Sequence, residues 1–223
     1  MHIPVSHGHL EAVLKEPDSS HRGAGVLCHP HPLFGGTMHT KAVYRAGQAL
    51  NEAGFAVLRF NFRGVGSSTG SHGGGVGERE DAAAALDWLA AKYPGTPLLA
   101  GGFSFGSMVA LSVGASDPRV VALIGLGLPI ERDEAYDFSF LSGVAKPVLI
   151  VQGENDEFGS GARIASHVAG LGSHITLVRV PGADHYFTER IDEMKEAVRD
   201  YFTQGPGAVP FGPTDQEVRH AKP

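Results

Sequence analysis

The pentapeptide Gly102-Phe103-Ser104-Phe105-Gly106 places a serine between two glycines, directly after the apolar segment 97–101. A serine can act as a nucleophile where a strand turns sharply into a helix and presents the hydroxyl in a strained backbone conformation. Backbone crowds the positions two before and two after such a serine, so both favour glycine. The pentapeptide predicts a nucleophilic Ser104. Taken alone it also fits an ordinary glycine-rich turn, because the chain has 31 glycines.

A serine nucleophile needs a base that accepts its proton and a carboxylate that orients the base. The loop after an apolar segment at 147–151 contains Asp156, and the loop after the segment 175–180 contains His185. Sites of open α/β folds gather beyond the carboxyl ends of the parallel strands, where such loops meet. The chain order serine, acid, histidine is a known order of catalytic triads. We therefore expect Ser104, Asp156 and His185 to form a triad.

Short apolar segments alternate with amphipathic segments along the chain, and these elements must position the three side chains. The predicted strands are 10–15, 25–28, 55–60, 97–101, 120–125, 147–151 and 175–180, and the predicted helices are 40–53, 78–92, 104–114, 163–169 and 189–202. Alternation of this kind predicts an α/β fold with a mostly parallel central sheet and helices on both faces. The strand 10–15 alternates apolar and polar residues, which is typical of an edge strand in an antiparallel hairpin.

Length and composition predict one domain followed by a tail. The chain has 223 residues, which suits a single α/β domain over 1–203 with a sizeable core. Residues 204–223 are rich in proline and glycine, which cannot sustain a long helix or a central strand. We expect this tail to be flexible or to lie on a neighbouring surface. It could also close over a site or pair with another subunit, as in a homodimer.

Charge and apolar patterning exclude two classes of partner. The formal net charge is −6 and the basic residues are scattered, so the chain has no electrostatic footprint for nucleic acid. The N-terminus lacks a basic segment followed by an apolar one, and no stretch reaches the roughly 18 apolar residues of a membrane helix. We therefore expect no membrane partner and a cytoplasmic location. Cys28 is the only cysteine, which excludes an intramolecular disulfide and fits a reducing compartment.

Two further segments complete a resemblance to a known superfamily. Residues 28–36, Cys-His-Pro-His-Pro-Leu-Phe-Gly-Gly, follow the predicted strand 25–28, and residues 63–68, Arg-Gly-Val-Gly-Ser-Ser, follow the next strand. Together with the strand-to-helix turn at 102–106, here called the elbow, and the two later loops, they make residues 10–203 resemble the α/β-hydrolase superfamily, close to its dienelactone-hydrolase-like and compact esterase families. The resemblance implies the α/β-hydrolase fold. No large cap domain is expected, because 130–146 is the only insertion after the strand that follows the elbow.

The resemblance indicates which carboxylate belongs to the triad and which substrates are disfavoured. The Gly-x-x-Asp spacing of these families favours Asp156 over its neighbours Glu154 and Glu157. Dienelactone hydrolases proper use a cysteine at the position of Ser104, so the resemblance does not extend to their lactone substrate. Haloalkane- and epoxide-type chemistry needs an aspartate at the elbow, and this chain has none there.

An oxyanion hole should combine the backbone N–H of Phe105, the residue after the nucleophile, with a donor from the loop 29–33. Two prolines in that loop have no N–H, which leaves His29, His31 and Leu33 as donors. Position in the resembled loop favours His31. The prolines would also stiffen the loop around this donor.

These features predict a carboxylesterase-type serine hydrolase that needs no cofactor and no metal. Its partner would be a small-molecule ester, and Leu33, Phe34 and Tyr186 would line an apolar pocket for small or short-chain acyl groups. Two alternatives remain open at the level of the sequence. The same triad could serve a thioesterase or a peptidase, and the scaffold could be a non-catalytic interaction module.

The histidines 29, 31 and 39 offer a rival interpretation as a metal site. Two histidines separated by one proline bind zinc only if a third ligand converges, and no Cys-x-x-Cys or His-Glu-x-x-His motif accompanies them. A buried, hydrogen-bonded role for His29 is favoured instead. Arg63 could anchor a phosphate or a carboxylate, but we expect the commoner structural role, in which the guanidinium joins loops.

Overall fold

A computed structural model of the protein describes residues 1–18, 21–132 and 136–211, and a sheet of eight strands runs through this part of the chain. The strands are β1 (His2–Val5), β2 (Gly8–Lys15), β3 (Gly23–Cys28), β4 (Phe55–Phe60), β5 (Leu98–Phe103), β6 (Val120–Leu126), β7 (Val148–Gly153) and β8 (Ile175–Val180). Their spatial order is β1-β2-β4-β3-β5-β6-β7-β8. Strands β3 to β8 are parallel, and β1 and β2 add an antiparallel hairpin at one edge. The predicted α/β-hydrolase fold is confirmed.

Helices cover both faces of the sheet. They are α1 (Lys41–Glu52), α2 (Val76–Lys92), α3 (Phe105–Ser116), α4 (Gly161–Val168) and α5 (Ile191–Thr203). Side chains of α2, α3 and α4 pack with one face of the strands, and those of α1 and α5 pack with the other. Alternate residues of the buried strands divide between these two cores, as Ile150 and Val151 of β7 do. Strands buried on both faces explain why their sequences are continuously apolar.

The sheet differs from the sequence prediction where β5 ends. Gly102 and Phe103, predicted as a turn, pair with Gly125 and Leu126 of β6 and so extend the strand. Since α3 begins at Phe105, Ser104 alone separates strand from helix. The turn is therefore tighter than the sequence indicated.

Part of the predicted C-terminal tail packs on the domain. Residues 206–211 form a 3-10 helix in which Phe211 is buried, with its ring centroid 4.7 Å from that of Phe55. The guanidinium of Arg22 donates to the backbone oxygens of Phe202 and Ala208, at 3.2 and 2.9 Å. This segment lies on a neighbouring surface, which is one of the alternatives that the sequence leaves open for the tail. Residues 212–223 lie outside the described residues.

The helices also bear on the question of a membrane. None of those in the described part of the chain is long and apolar enough to cross a bilayer.

Candidate active site

Ser104 has a backbone conformation that few residues other than glycine adopt, with φ 56° and ψ −121°. A Cβ atom added to Gly102 would lie 2.2 Å from the carbonyl oxygen of Gly106. A Cβ added to Gly106 would lie 2.4 Å from the carbonyl oxygen of His29 and 2.5 Å from that of Cys28. These contacts are with backbone, which cannot move aside, so the crowding argued from the pentapeptide is present at both glycines.

The structure brings Ser104, Asp156 and His185 together. His185 lies on the loop after β8, with its Nε2 2.9 Å from Ser104 Oγ and its Nδ1 2.8 Å from Asp156 Oδ2. Since a carboxylate only accepts, Nδ1 carries the imidazole proton and Nε2 is free to accept from the Ser104 hydroxyl. All three side chains are buried, which strengthens these hydrogen bonds relative to water.

Gln152, the second-last residue of strand β7, fixes the carboxylate of Asp156. Asp156 lies on the loop that follows β7, here called the acid loop. The Nε2 of Gln152 donates to Asp156 Oδ2 at 2.8 Å and to the oxygen of Gly159 at 2.7 Å, while its Oε1 accepts from Leu128 N at 2.8 Å. The other carboxylate oxygen, Oδ1, accepts from Phe158 N at 2.8 Å. The sequence interpretation missed Gln152. The available signal was a polar side chain in a fully buried apolar strand.

The rival carboxylates do not reach the imidazole of His185. Glu157 Oε2 accepts from the backbone N–H of His185 at 3.3 Å, and Glu154 is exposed. Asp184 Oδ1 accepts from Thr188 N at 2.8 Å, a contact within its own turn. Within the described residues, Asp156 is the carboxylate that pairs with the ring.

The two residues expected to form the oxyanion hole adjoin each other, with the rings of His31 and Phe105 5.0 Å apart. Phe105 is the first residue of α3, where the backbone N–H has no partner within the helix. Across the described residues, neither its N–H nor that of His31 donates a hydrogen bond. The oxygen of His31 accepts from Phe34 N and Gly36 N, both at 3.1 Å, which holds the loop in one conformation. Both N–H groups are therefore without an acceptor in the described part of the chain.

His29 has both ring nitrogens engaged. Nδ1 donates to Pro30 O at 2.6 Å, and Nε2 accepts from Phe62 N at 3.0 Å. Burial lowers the pKa of His29 to about 4, so the ring is neutral at pH 7. A ring used in this way cannot also hold a metal, and the described residues contain no group of three or more potential ligands.

Arg63 forms a two-point contact with Asp81. Its Nη2 lies 2.8 Å from Asp81 Oδ1 and its Nε 3.1 Å from Oδ2, while its backbone N–H donates to Oδ2 at 2.9 Å. Because Asp81 lies on α2, the guanidinium ties the loop after β4 to that helix. This is the structural role expected from the sequence.

A surface pocket opens over Ser104. The described residues that line it are Pro30, His31, Phe34, Gly35, Gly36, Thr40, Ser104, Arg132, His185 and Tyr186. Of the three predicted substrate-binding residues, Phe34 and Tyr186 line this pocket and Leu33 does not. Leu33 and Phe34 lie in one 3-10 turn, whose successive side chains diverge by about 120°, so they cannot face the same side. Leu33 points to solvent and is 68% exposed.

The pocket is also less apolar than the sequence indicated. Thr40 and Arg132 contribute polar and charged groups, and neither was identified from the sequence. Arg132 was missed because nothing in its local sequence places it beside the elbow.

The chain is similar to known proteins over most of its length. Residues 26–201 match a family of alpha/beta hydrolase domains. An uncharacterized protein of Rickettsia prowazekii is 36% identical over 200 residues, which are 87% of this chain and 84% of the relative. An alpha-beta serine hydrolase homologue from Coxiella burnetii superposes with a TM-score of 0.83 at 36% identity, over 89% of this chain and 94% of that one. An a/b serine hydrolase without lid from Xanthomonas campestris gives 0.82 at 33% identity, over 91% and 92%.

Proposed function

The chain belongs to the alpha/beta hydrolase family, and we propose that it is a serine hydrolase of the carboxylesterase type. The observation that carries the proposal is the buried hydrogen-bond series from Ser104 through His185 to Asp156, built on a strained turn. The two solved relatives from Coxiella burnetii and Xanthomonas campestris are described as a serine hydrolase homologue and a serine hydrolase, which supports the same class.

The first half of the reaction forms an acyl-enzyme. Ser104 Oγ attacks the ester carbonyl carbon while His185 Nε2 takes the hydroxyl proton. Asp156 holds the imidazole in the tautomer that can accept this proton and stabilises the imidazolium that results. The same proton then passes from His185 to the leaving alcohol as the bond from carbon to that oxygen breaks.

The negative charge that develops on the carbonyl oxygen needs donors that are already oriented. The backbone N–H groups of Phe105 and His31 would supply them, since both lie beside the serine and both are without an acceptor. Water then attacks the acyl-enzyme with His185 as base, which releases the acid and restores Ser104.

The open pocket limits the size of the acyl group that the protein can enclose. Its aromatic side chains, Phe34 and Tyr186, are 65% and 51% exposed, so it cannot enclose a long acyl chain. We infer that small or short-chain esters fit best. The same serine and base can cleave a thioester or an amide, so a panel of matched esters, thioesters and aminoacyl amides defines the leaving group.

Substitution of the nucleophile tests the proposal. We expect Ser104→Ala to lower kcat/KM for p-nitrophenyl acetate by about 10⁴-fold or more, because the acyl-enzyme can no longer form. Hydrolysis is followed by nitrophenolate release, and folding by circular dichroism. A fluorophosphonate probe should label the wild type at Ser104 and leave the variant unlabelled.

Ser116→Ala is the matched control, because Ser116 is an exposed serine at the far end of helix α3. It should keep wild-type kinetics and probe labelling. Wild-type activity in a folded Ser104→Ala protein, or no probe adduct on the wild type, would contradict the proposal and favour a non-catalytic module.

A further inference from the structure

Arg132 presents a positive charge at the mouth of the pocket over Ser104. Its guanidinium carbon lies 4.6 Å from the ring centroid of Phe34 and 4.9 Å from that of Phe158. Phe158 in turn packs edge-on against the ring of His185, with centroids 4.7 Å apart. The aromatic contacts place the guanidinium against a ring that itself packs on His185, although Arg132 is exposed.

The hydrogen-bonding capacity of this guanidinium is unused within the described residues. No carboxylate there lies within 4.0 Å of it, whereas Arg63 and Arg119 each contact two carboxylates. Its donors lie in the guanidinium plane and match the two oxygens of a carboxylate. Contacts with the faces of aromatic rings do not consume them.

The lining of the pocket adds positive potential around Arg132. None of the described residues that line the pocket is acidic, although the whole chain carries a net charge of −6. Thr40 and Ser104 line the pocket at the positions that precede α1 and α3, and helix N-termini carry partial positive charge. Burial and the positive charges of His72 and Arg132 lower the pKa of His31, and the negative charge of Glu78 opposes them with a smaller effect.

We propose that Arg132 is a specificity residue that binds a carboxylate on the substrate, so that the enzyme prefers esters with a free carboxylate, such as half-esters of dicarboxylic acids. This inference rests on the proposed esterase function and narrows its substrate class. The ester carbonyl would lie at Ser104 while the distal carboxylate pairs with the guanidinium. A neutral ester of equal length would leave Arg132 without this partner.

The test compares charged and neutral substrates. Monoethyl esters of glutaric, adipic and pimelic acid are paired with ethyl esters of the monocarboxylic acids of equal carbon number, and acid release is titrated at constant pH. We expect wild-type kcat/KM to be at least tenfold higher for one or more half-esters than for their neutral counterparts. Arg132→Gln should reduce that ratio by about 10- to 100-fold, the value of one charge-assisted pair.

Two further variants make the comparison specific. Arg132→Lys keeps the charge and loses the paired geometry, so its ratio should fall between those of the wild type and Arg132→Gln. Arg79→Gln removes an exposed arginine of α2 outside the pocket and should leave the ratio unchanged. An unchanged ratio in Arg132→Gln, or no preference in the wild type, overturns the inference and leaves the esterase proposal standing.

A binding measurement separates this inference from the proposed function. Calorimetric titration of glutarate and adipate into the Ser104→Ala protein requires no turnover. We expect binding that weakens at high salt and that the additional Arg132→Gln change reduces at least tenfold. Absence of binding, or equal binding with and without Arg132, overturns the carboxylate site. Arg132-dependent binding in a protein that cleaves no ester would overturn the esterase proposal alone.

Discussion

At the scale of single residues, the position of the Asp156 carboxylate depends on Gln152. The amide of Gln152 reaches the acid loop at Gly159 and the loop after β6 at Leu128, as well as the carboxylate itself. One buried side chain thus connects two loops to the group that orients His185. A network of this kind holds a carboxylate more tightly than a single hydrogen bond would.

Substitution of Gln152 should therefore affect chemistry more than binding. We expect Gln152→Leu to lower kcat by about 10- to 100-fold with a smaller change in KM, because the imidazole loses its fixed orientation. Steady-state kinetics on p-nitrophenyl acetate separate the two parameters.

The pH dependence of kcat/KM in the Gln152→Glu variant distinguishes a positioning role for Gln152 from a purely structural one. A carboxylate beside Asp156 raises the pKa of that acid pair, and its negative charge also favours the protonated form of His185. Both effects move the acid limb of the kcat/KM profile to higher pH. A profile that matches the wild type would contradict a positioning role for Gln152.

At the scale of elements, the site is assembled from loops at the carboxyl ends of β3, β5, β7 and β8. Parallel strands bring these ends to one edge of the sheet, so residues 31, 104, 156 and 185 meet although they are far apart in sequence. The turn from β5 to α3 is the tightest of these connections. It passes under the loop after β3, where Gly106 contacts the backbone of His29.

A side chain at Gly106 should separate these two loops. We expect Gly106→Ala to lower the free energy of unfolding by about 3 kcal/mol, because the new Cβ would overlap two backbone oxygens. Urea denaturation measures the change. Gly143→Ala is the matched control, since an added Cβ there meets no atom within 4 Å, and it should shift stability by less than about 1 kcal/mol. Equal effects of the two substitutions would contradict the crowding.

Much of this arrangement could be predicted from the sequence, for physical reasons. Strands buried on both faces must be continuously apolar, so segments such as 55–60 and 147–151 are recognisable locally. The elbow is recognisable because its glycines are required by local crowding. Gln152 shows in the sequence only as a polar residue at the end of an apolar segment. Its contacts with distant loops, like those of Arg132, are not encoded by any local pattern. The direction of Leu33 depended on a 3-10 turn that a segment of three residues does not reveal.

At the scale of the whole molecule, the two ends of the parallel strands differ in function. The pocket lies at the carboxyl ends of the strands, whereas the 3-10 helix 206–211 packs at their amino ends. A Cβ added to Gly23, the first residue of β3, would lie 2.7 Å from the ring of Phe211, which places that ring at the start of the strand. Phe211 also contacts Phe55 and Phe202 and extends the core on the side of α5.

Loss of the Phe211 ring should therefore change stability without changing activity. We expect Phe211→Ala to lower the free energy of unfolding by about 3 kcal/mol, the usual cost of removing a buried phenyl ring, while kcat/KM for p-nitrophenyl acetate stays at the wild-type value. Val209→Ala, at a residue 79% exposed in the same segment, should change neither. Chemical denaturation and ester hydrolysis on the same samples check both statements. A loss of kcat/KM in folded Phe211→Ala would show that the two ends are coupled.

The position of Cys28 makes its thiol a probe for local unfolding around the elbow. The thiol is fully buried at the end of β3, directly beneath the elbow, and burial raises its pKa, so the reactive thiolate is scarce while the domain is closed. Alkylating reagents can reach it only in molecules that have transiently opened around the elbow. The rate of thiol modification thus measures how often these openings occur. Since Cys28 is the chain's only cysteine, all of the modification can be assigned to this position.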